Sequence, residues 1–249
     1  IMTLSPTGLS VLYAERFSAP TVKSVLGGPE TAAYIHRVGA IGFMGVFFIH
    51  LVYFAIKIVR NWGEFDFFGP TSLVPTLDDL KDAEKMFRWF FGLGPRPELE
   101  RYSYWEKFDY WAPFWGMTII GVSGMIMWYP VQAAAFLPGW AFNVAQIVHG
   151  EEAFLAIGFL FTVHFFNNHF RPDKFPQDTV MFTGRVPLEL YKHEHRREYE
   201  RLLASGELEK YLVNAPTAPR AKSASILGAT LIVFGLFLLT LVITGFLGL

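Results

Sequence analysis

FNVAQIVHGEEAFLAIGFLFTVHFFNNH, residues 142–169, decides the fold. From Ala153 to His169 it carries no formal charge, and about 20 predominantly apolar residues are what a helix needs to cross a bilayer. Two histidines, His149 and His164, are set into it fifteen residues apart. Outward from this stretch, three further runs read the same way. Val38–Ile56 is free of formal charge, Tyr110–Gly150 is uncharged and too long for one crossing, and Ser223–Leu249 has no charge at all. Trp128-Tyr129-Pro130 and Leu137-Pro138-Gly139-Trp140 break the long run, since proline and glycine favour turns.

Four spans are therefore expected, near 31–57, 111–131, 142–167 and 224–247. The chain begins at Ile1 rather than Met, so further residues are expected upstream, and IMTLSPTGLSVLY, residues 1–13, reads as the last turns of an earlier helix. The expected fold is all-α: an integral membrane helical bundle with four complete transmembrane helices and the end of an N-terminal fifth. Along the chain this gives four parts. Residues 1–30 end a first helix and form a connection, and 31–185 form a transmembrane domain. Residues 186–222 are a charged, amphipathic segment, and 223–249 a last transmembrane helix.

Composition agrees. Of 249 residues, 52% are hydrophobic and only 17% charged, with mean hydropathy +0.32, which excludes a disordered chain and argues against an ordinary soluble domain. A net charge of −1 gives no global basic surface, so nucleic acid is not an expected partner. The absence of cysteine removes disulfides, thiolate-held zinc, iron–sulfur clusters and covalent c-type haem. Any metal must be held by His, Met or carboxylate.

The segments 58–110 and 170–222 hold most of the basic residues, with Arg60, Lys107, Arg171 and Lys222 close to span ends. The other side has few, such as Arg16 and Lys23. The positive-inside rule places the long segments in the cytoplasm and the short linker 132–141 on the opposite face of a bacterial-type inner membrane.

His36 and His50 are 14 residues apart, so each His-bearing span separates its two imidazoles by about 21–22 Å along the axis. One span lies between the two helices, so they run parallel. His36 then shares a level with His149, and His50 shares a deeper one with His164. Two imidazoles facing each other across a bundle supply both axial positions of a haem iron, and bis-His haems move electrons. A helix–helix hydrogen bond is the plain alternative for any single intramembrane histidine. Zinc held by all four fails on distance. Gly39, Gly42 and Gly45 offer the bare faces a flat macrocycle needs, and they also suit tight helix packing. His169 is a further ligand, quinone contact or interfacial residue, and His193 and His195 sit in a charged segment read as a solvated tail.

At these residues a family resemblance emerges. ERYSYWEKFDYWAPFWGMTIIGVSGMIMWYP, then FLPGWAFNVAQIVHGEEAFLAIGFLFTVHFFNNHFRPDKFP, with GGPETAAYIHRVGA before them, resembles the dihaem cytochrome b subunits of formate dehydrogenase (its gamma subunit) and thiosulfate reductase, which are b561-like membrane cytochromes. The likeness covers about residues 25–185. It implies a subunit passing electrons between a quinone pool and a partner redox subunit, with His36 and His149 on the periplasmic haem and His164 on the cytoplasmic one. In that family the partner of His164 comes from the first helix, so His50 is either that second ligand or a neighbour of a haem held from upstream. Two or three b-type haems are implied.

The cytoplasmic entrance to the middle span, with Tyr102, Ser103, Tyr104, Trp105, Glu106, Lys107 and Asp109, corresponds in position to the family's quinone site. Aromatic rings can sandwich a quinone, and a carboxylate or lysine can exchange its proton. Tyr102, Ser103, Glu106, Lys107 and His169 are the quinone candidates; Glu151 and Glu152 lie near His149. The chain has no cysteine, so an iron–sulfur or multihaem c-type partner must complete the electron path of a larger oxidoreductase. The rival expectation is a non-catalytic membrane anchor whose histidines only join helices.

Overall fold

The computed structural model describes residues 1–12, 24–64, 66–172 and 174–247, and every regular element among them is helical. The connection carrying Arg16 and Lys23 lies outside the described residues. In chain order the elements begin with α1 (Leu4–Leu12), α2 (Pro29–Arg60), α3 (Leu77–Phe90), α4 (Tyr104–Trp128) and the single turn α5 (Pro130–Ala133). They continue with α6 (Trp140–Phe159), α7 (Val180–Thr183), α8 (Leu188–Glu194), α9 (Arg196–Ala204) and α10 (Ala218–Leu247).

Local chemistry sets the long helices. Pro29 opens α2, where its missing N–H costs nothing, and Lys57 and Arg60 complement the negative end of the helix dipole. Ser103 caps α4 by accepting from the Glu106 N–H, while the Glu106 carboxylate accepts from the Ser103 N–H at 2.8 Å. That capping box starts the helix seven residues before the expected span, and the helix stops at Trp128, three residues before the expected end, with Pro130 just beyond it. Past Phe159, α6 widens into two π-helical turns, Leu160–His164 and Phe166–Phe170. The Phe165 N–H reaches the Leu160 carbonyl and the Arg171 N–H the Phe166 carbonyl, each five residues back.

Among the described residues, three helices are long and apolar enough to cross a membrane: α2, α6 with its extension to Phe170, and α10. α4 is 25 residues long and fills the place of the second expected span, but its first turns carry Glu106, Lys107 and Asp109, and it is not among the three.

The apolar core sits where α1, α6 and α10 meet, around Leu9, Ile157, Phe161, Phe165, Ile232, Leu238 and Val242. Gly235 makes this approach possible. A Cβ there would lie 2.6 Å from the Phe165 ring and 2.9 Å from Phe161, so only a glycine lets α10 reach α6. α4 packs along α6, whereas Ala32 alone is buried on α2.

The expected solvated tail is not one. Arg197 grips Asp82 of α3 with two bonds of 3.1 and 2.9 Å, and the Arg197 N–H donates to the Leu99 carbonyl. His195 Nδ1 lies 2.8 Å from the Glu100 carbonyl, Arg171 pairs with Glu194, and Glu198 is 2% exposed beside Arg101 and Arg201. Burial and the hydrogen bond to Glu198 push the Tyr191 phenol well above its ordinary pKa. Charges that looked solvated in sequence are opposed by charges from the other long segment. Residues 73–101 and 171–204 thus form one clasp on one side of the molecule.

Candidate functional site

His36, seven residues into α2, meets His149, nine residues into α6, with ring centroids 6.3 Å apart and planes inclined at 60°. Hydroxyls and carbonyls stand at Nδ1 of each ring. The Thr7 hydroxyl lies 2.9 Å from the Thr3 carbonyl, 3.0 Å from the Leu4 carbonyl and 2.9 Å from His36 Nδ1, so its one hydrogen serves one of three acceptors. Ser123 repeats the arrangement. Its hydroxyl donates to the Ile119 carbonyl at 2.6 Å and faces His149 Nδ1 at 3.1 Å, and the Ile120 carbonyl lies 3.0 Å from the same nitrogen. The Ile120 carbonyl can only accept, so His149 carries its proton on Nδ1 and keeps a lone pair on Nε2. With the Thr7 hydrogen turned to its own helix, His36 does the same.

This donor set fits a metal held from two sides. A metal–imidazole bond is about 2.0 Å and the ring centre lies about 1.1 Å beyond the nitrogen, so two imidazoles sharing one iron would stand about 6.2 Å apart. An Nδ1–H tied to an oxygen is the usual support of a ligand histidine. Among the described residues no group of three or more His, Asp or Glu side chains converges as a bare metal ion would require. Haem asks only two axial ligands of the protein.

Glycines shape the space around the rings. A Cβ on Gly124 would sit 3.2 Å from His149 Cε1, tighter than ordinary contact, whereas one on Gly8 would make an ordinary contact with His36 Cε1 at 3.5 Å. Gly39 lies against Leu4 and serves the α1–α2 contact, whereas Gly42 and Gly45 face open space. Gly8, Thr7 and Ser123 were missed in the sequence. Ser123 sits between Gly121 and Gly124, which is the one signal that could have found it.

The deeper level is built differently. His164 Nδ1 lies 2.5 Å from Asp109 Oδ2, and Asn168 Nδ2 is 3.2 Å from both ring nitrogens. The Trp105 ring meets His164 edge-on. His50 Nε2 pairs instead with the Tyr110 hydroxyl at 3.0 Å, between Phe54 and Phe114. Asp109 and Tyr110 are consecutive on α4, so the structure gives His50 and His164 separate partners and does not bring their rings together. An Asp–His pair of this kind is the carboxylate-backed arrangement found behind metal-bound imidazoles.

Among the quinone candidates, Ser103 and Glu106 are joined in the α4 cap, and buried Lys107 pairs with Asp79 at 2.9 Å. His169 is buried, and its Nδ1 accepts from the Asp178 N–H at 3.3 Å. Tyr102 is half-buried at the start of this cluster. Near the first histidine pair, Glu152 accepts from the Trp115 indole at 3.1 Å, while Glu151 is exposed.

Comparison of the chain with protein-family models, with curated proteins and with solved structures finds no match. The functional reading rests on the residues alone.

Proposed function

We propose that this chain is a membrane b-type cytochrome, an electron-transfer subunit working between a quinone pool and a partner redox subunit. The observation that carries the reading is the His36–His149 pair. Two imidazoles on helices long and apolar enough to cross a membrane stand 6.3 Å apart, each with Nδ1 held by a hydroxyl of a neighbouring helix. Haem held there would supply a one-electron carrier with no open coordination position, hence transfer rather than substrate chemistry. The chain's own part is to hold and orient. Thr7 and Ser123 hold the rings, Gly124 leaves room beside His149, and the helices exclude water.

His164, backed by Asp109, is the proposed ligand of a second haem nearer the cytoplasm. His50 or a residue upstream of Ile1 is its proposed partner. With α4 counted as a crossing, the bundle has the four spans expected from sequence, in an inner membrane. Quinone is proposed to bind at the cytoplasmic entrance of α4, among Tyr102, Ser103, Glu106, Lys107 and His169. The partner, an iron–sulfur or multihaem c-type protein, carries the centres that a cysteine-free chain cannot.

A second reading has one observation in its favour. His50, bonded to Tyr110 and packed between two phenylalanines, behaves as a helix-joining residue, as every histidine would in a pure membrane anchor. Pyridine haemochrome analysis of purified protein separates the two. About two haems per chain are expected, and the double variant His36→Ala/His149→Ala is expected to lose one and keep the other. Wild-type protein without haem would leave the anchor. Unchanged content in the double variant would break the pairing.

A further inference from the structure

Helix α3 is amphipathic the wrong way round for a helix packed on a protein core. Its inward face is acidic: Asp79 binds Lys107 and Asp82 binds Arg197, with Met86 buried between them and the rest of the protein. At about 100° per residue these three fall within an arc of about 60°. Leu77, Leu80, Phe87 and Phe90 occupy a different arc, about 140° wide, and are 65–76% exposed. The ridge continues into Phe91 and Leu93 beyond the helix end. Lys81, paired with Asp78 at 2.7 Å, and Arg88 border it on one side, and Glu84, which falls between Leu80 and Leu77 on the helix, is paired with Arg88. No described residue covers this ridge.

The height of α3 follows from its ties to α4. Asp109 touches His164, six residues before the π-extended end of α6 at Phe170, so this part of α4 lies about 9 Å inside the end of a membrane-crossing helix. Lys107, half a turn earlier, holds Asp79 in the first turn of α3, and the Trp111 indole, half a turn deeper, donates to the Leu73 carbonyl at 2.9 Å. The start of α3 is thereby fixed at the border of the apolar layer.

We propose that α3 is an in-plane membrane-surface helix, with the Leu77/Leu80/Phe87/Phe90 ridge sunk among the acyl chains and Lys81 and Arg88 on anionic lipid phosphates. An apolar face flanked by cations is the pattern that binds the bilayer interface. Its acidic face is left to hold the clasp. The proposal rests on α6 crossing the membrane and is independent of haem.

The absence of cysteine makes the test direct. Leu80→Cys, Phe87→Cys and the control Asp78→Cys, all at exposed positions, are labelled with bimane in the full chain. The labelled proteins are reconstituted into phosphatidylcholine–phosphatidylglycerol vesicles. A nitroxide near the carbonyl end of the acyl chain is expected to quench the Leu80 and Phe87 labels at least twofold more than the Asp78 label. A nitroxide at mid-chain should quench them less, and aqueous iodide should reverse the order. Iodide quenching of all three labels alike, without lipid quenching, would overturn the proposal and turn the ridge to water or a protein partner. A fourth label at exposed Val46 of α2 reads the crossing separately. If mid-chain nitroxide quenches it while Leu80 and Phe87 stay lipid-silent, the surface helix fails and the crossing stands. If no lipid nitroxide reaches it, both fail.

Discussion

At the scale of single residues, the Thr7 hydroxyl is the most informative group. With its hydrogen turned to its own helix it accepts from His36 Nδ1–H, which leaves Nε2 as a base. An acceptor behind an imidazole makes it a stronger donor to iron and favours the ferric state. In Thr7→Val the His36 ring loses the hydroxyl and keeps the Leu4 backbone carbonyl, and the midpoint potential of the proposed haem at His36/His149 is expected to rise. One hydrogen bond of about 1 kcal/mol corresponds to about 40 mV for one electron, so this is the upper bound of the shift. Ser123→Ala should act in the same way, because the Ile120 carbonyl stays at His149 Nδ1. Potentiometric titration followed at the haem bands reads both, and equal, negligible shifts would remove these hydroxyls from the site. The histidines were legible in sequence because charge-free helices make any imidazole conspicuous, and because 14- and 15-residue spacings repeat a helical face. Thr7, Ser123 and Asp109 were not. A Ser or Thr in an apolar helix bonds its own turn as readily as a neighbour, and only coordinates say which lone pair is left over.

At the scale of elements, the helices themselves were plain in the sequence, and their ends were not. α4 starts early because Ser103 and Glu106 cap it, a pair that also reads as polar site chemistry. The π turns at the end of α6 have no composition of their own, since they differ from an α-helix only by one extra residue in each hydrogen-bonded ring. The α6–α10 contact depends on Gly235. Gly235→Leu would drive a branched side chain into Phe161 and Phe165, and overpacking of this kind costs about 1–3 kcal/mol. A lowered midpoint in detergent thermal unfolding is expected, with exposed Leu236→Ala as a silent control. A Gly235→Leu midpoint equal to wild type would mean that α10 does not dock on α6 in the membrane.

At the scale of the whole molecule, among the described residues three helices long and apolar enough to cross a membrane carry a charged clasp on one side. The clasp is what sequence reading saw least. Long-range pairs such as Asp82–Arg197, 115 residues apart, leave no local pattern, and each partner alone looks like an ordinary solvated charge. The clasp also means that the chain is closed on itself twice, through helix packing at one level and through ion pairs at another. The turn at Phe136–Gly139 bears neither closure, and its residues are largely exposed. A gene split there gives two polypeptides, one holding His36 and Asp82, the other His149 and Arg197. Expressed together, they are expected to reassemble without a covalent link and to co-purify through a tag on either piece. Haem absorbance should appear only when both are present, so that the cofactor itself reports complementation. Pieces that never associate would show that the peptide bond across this turn, and not the clasp, joins the two halves.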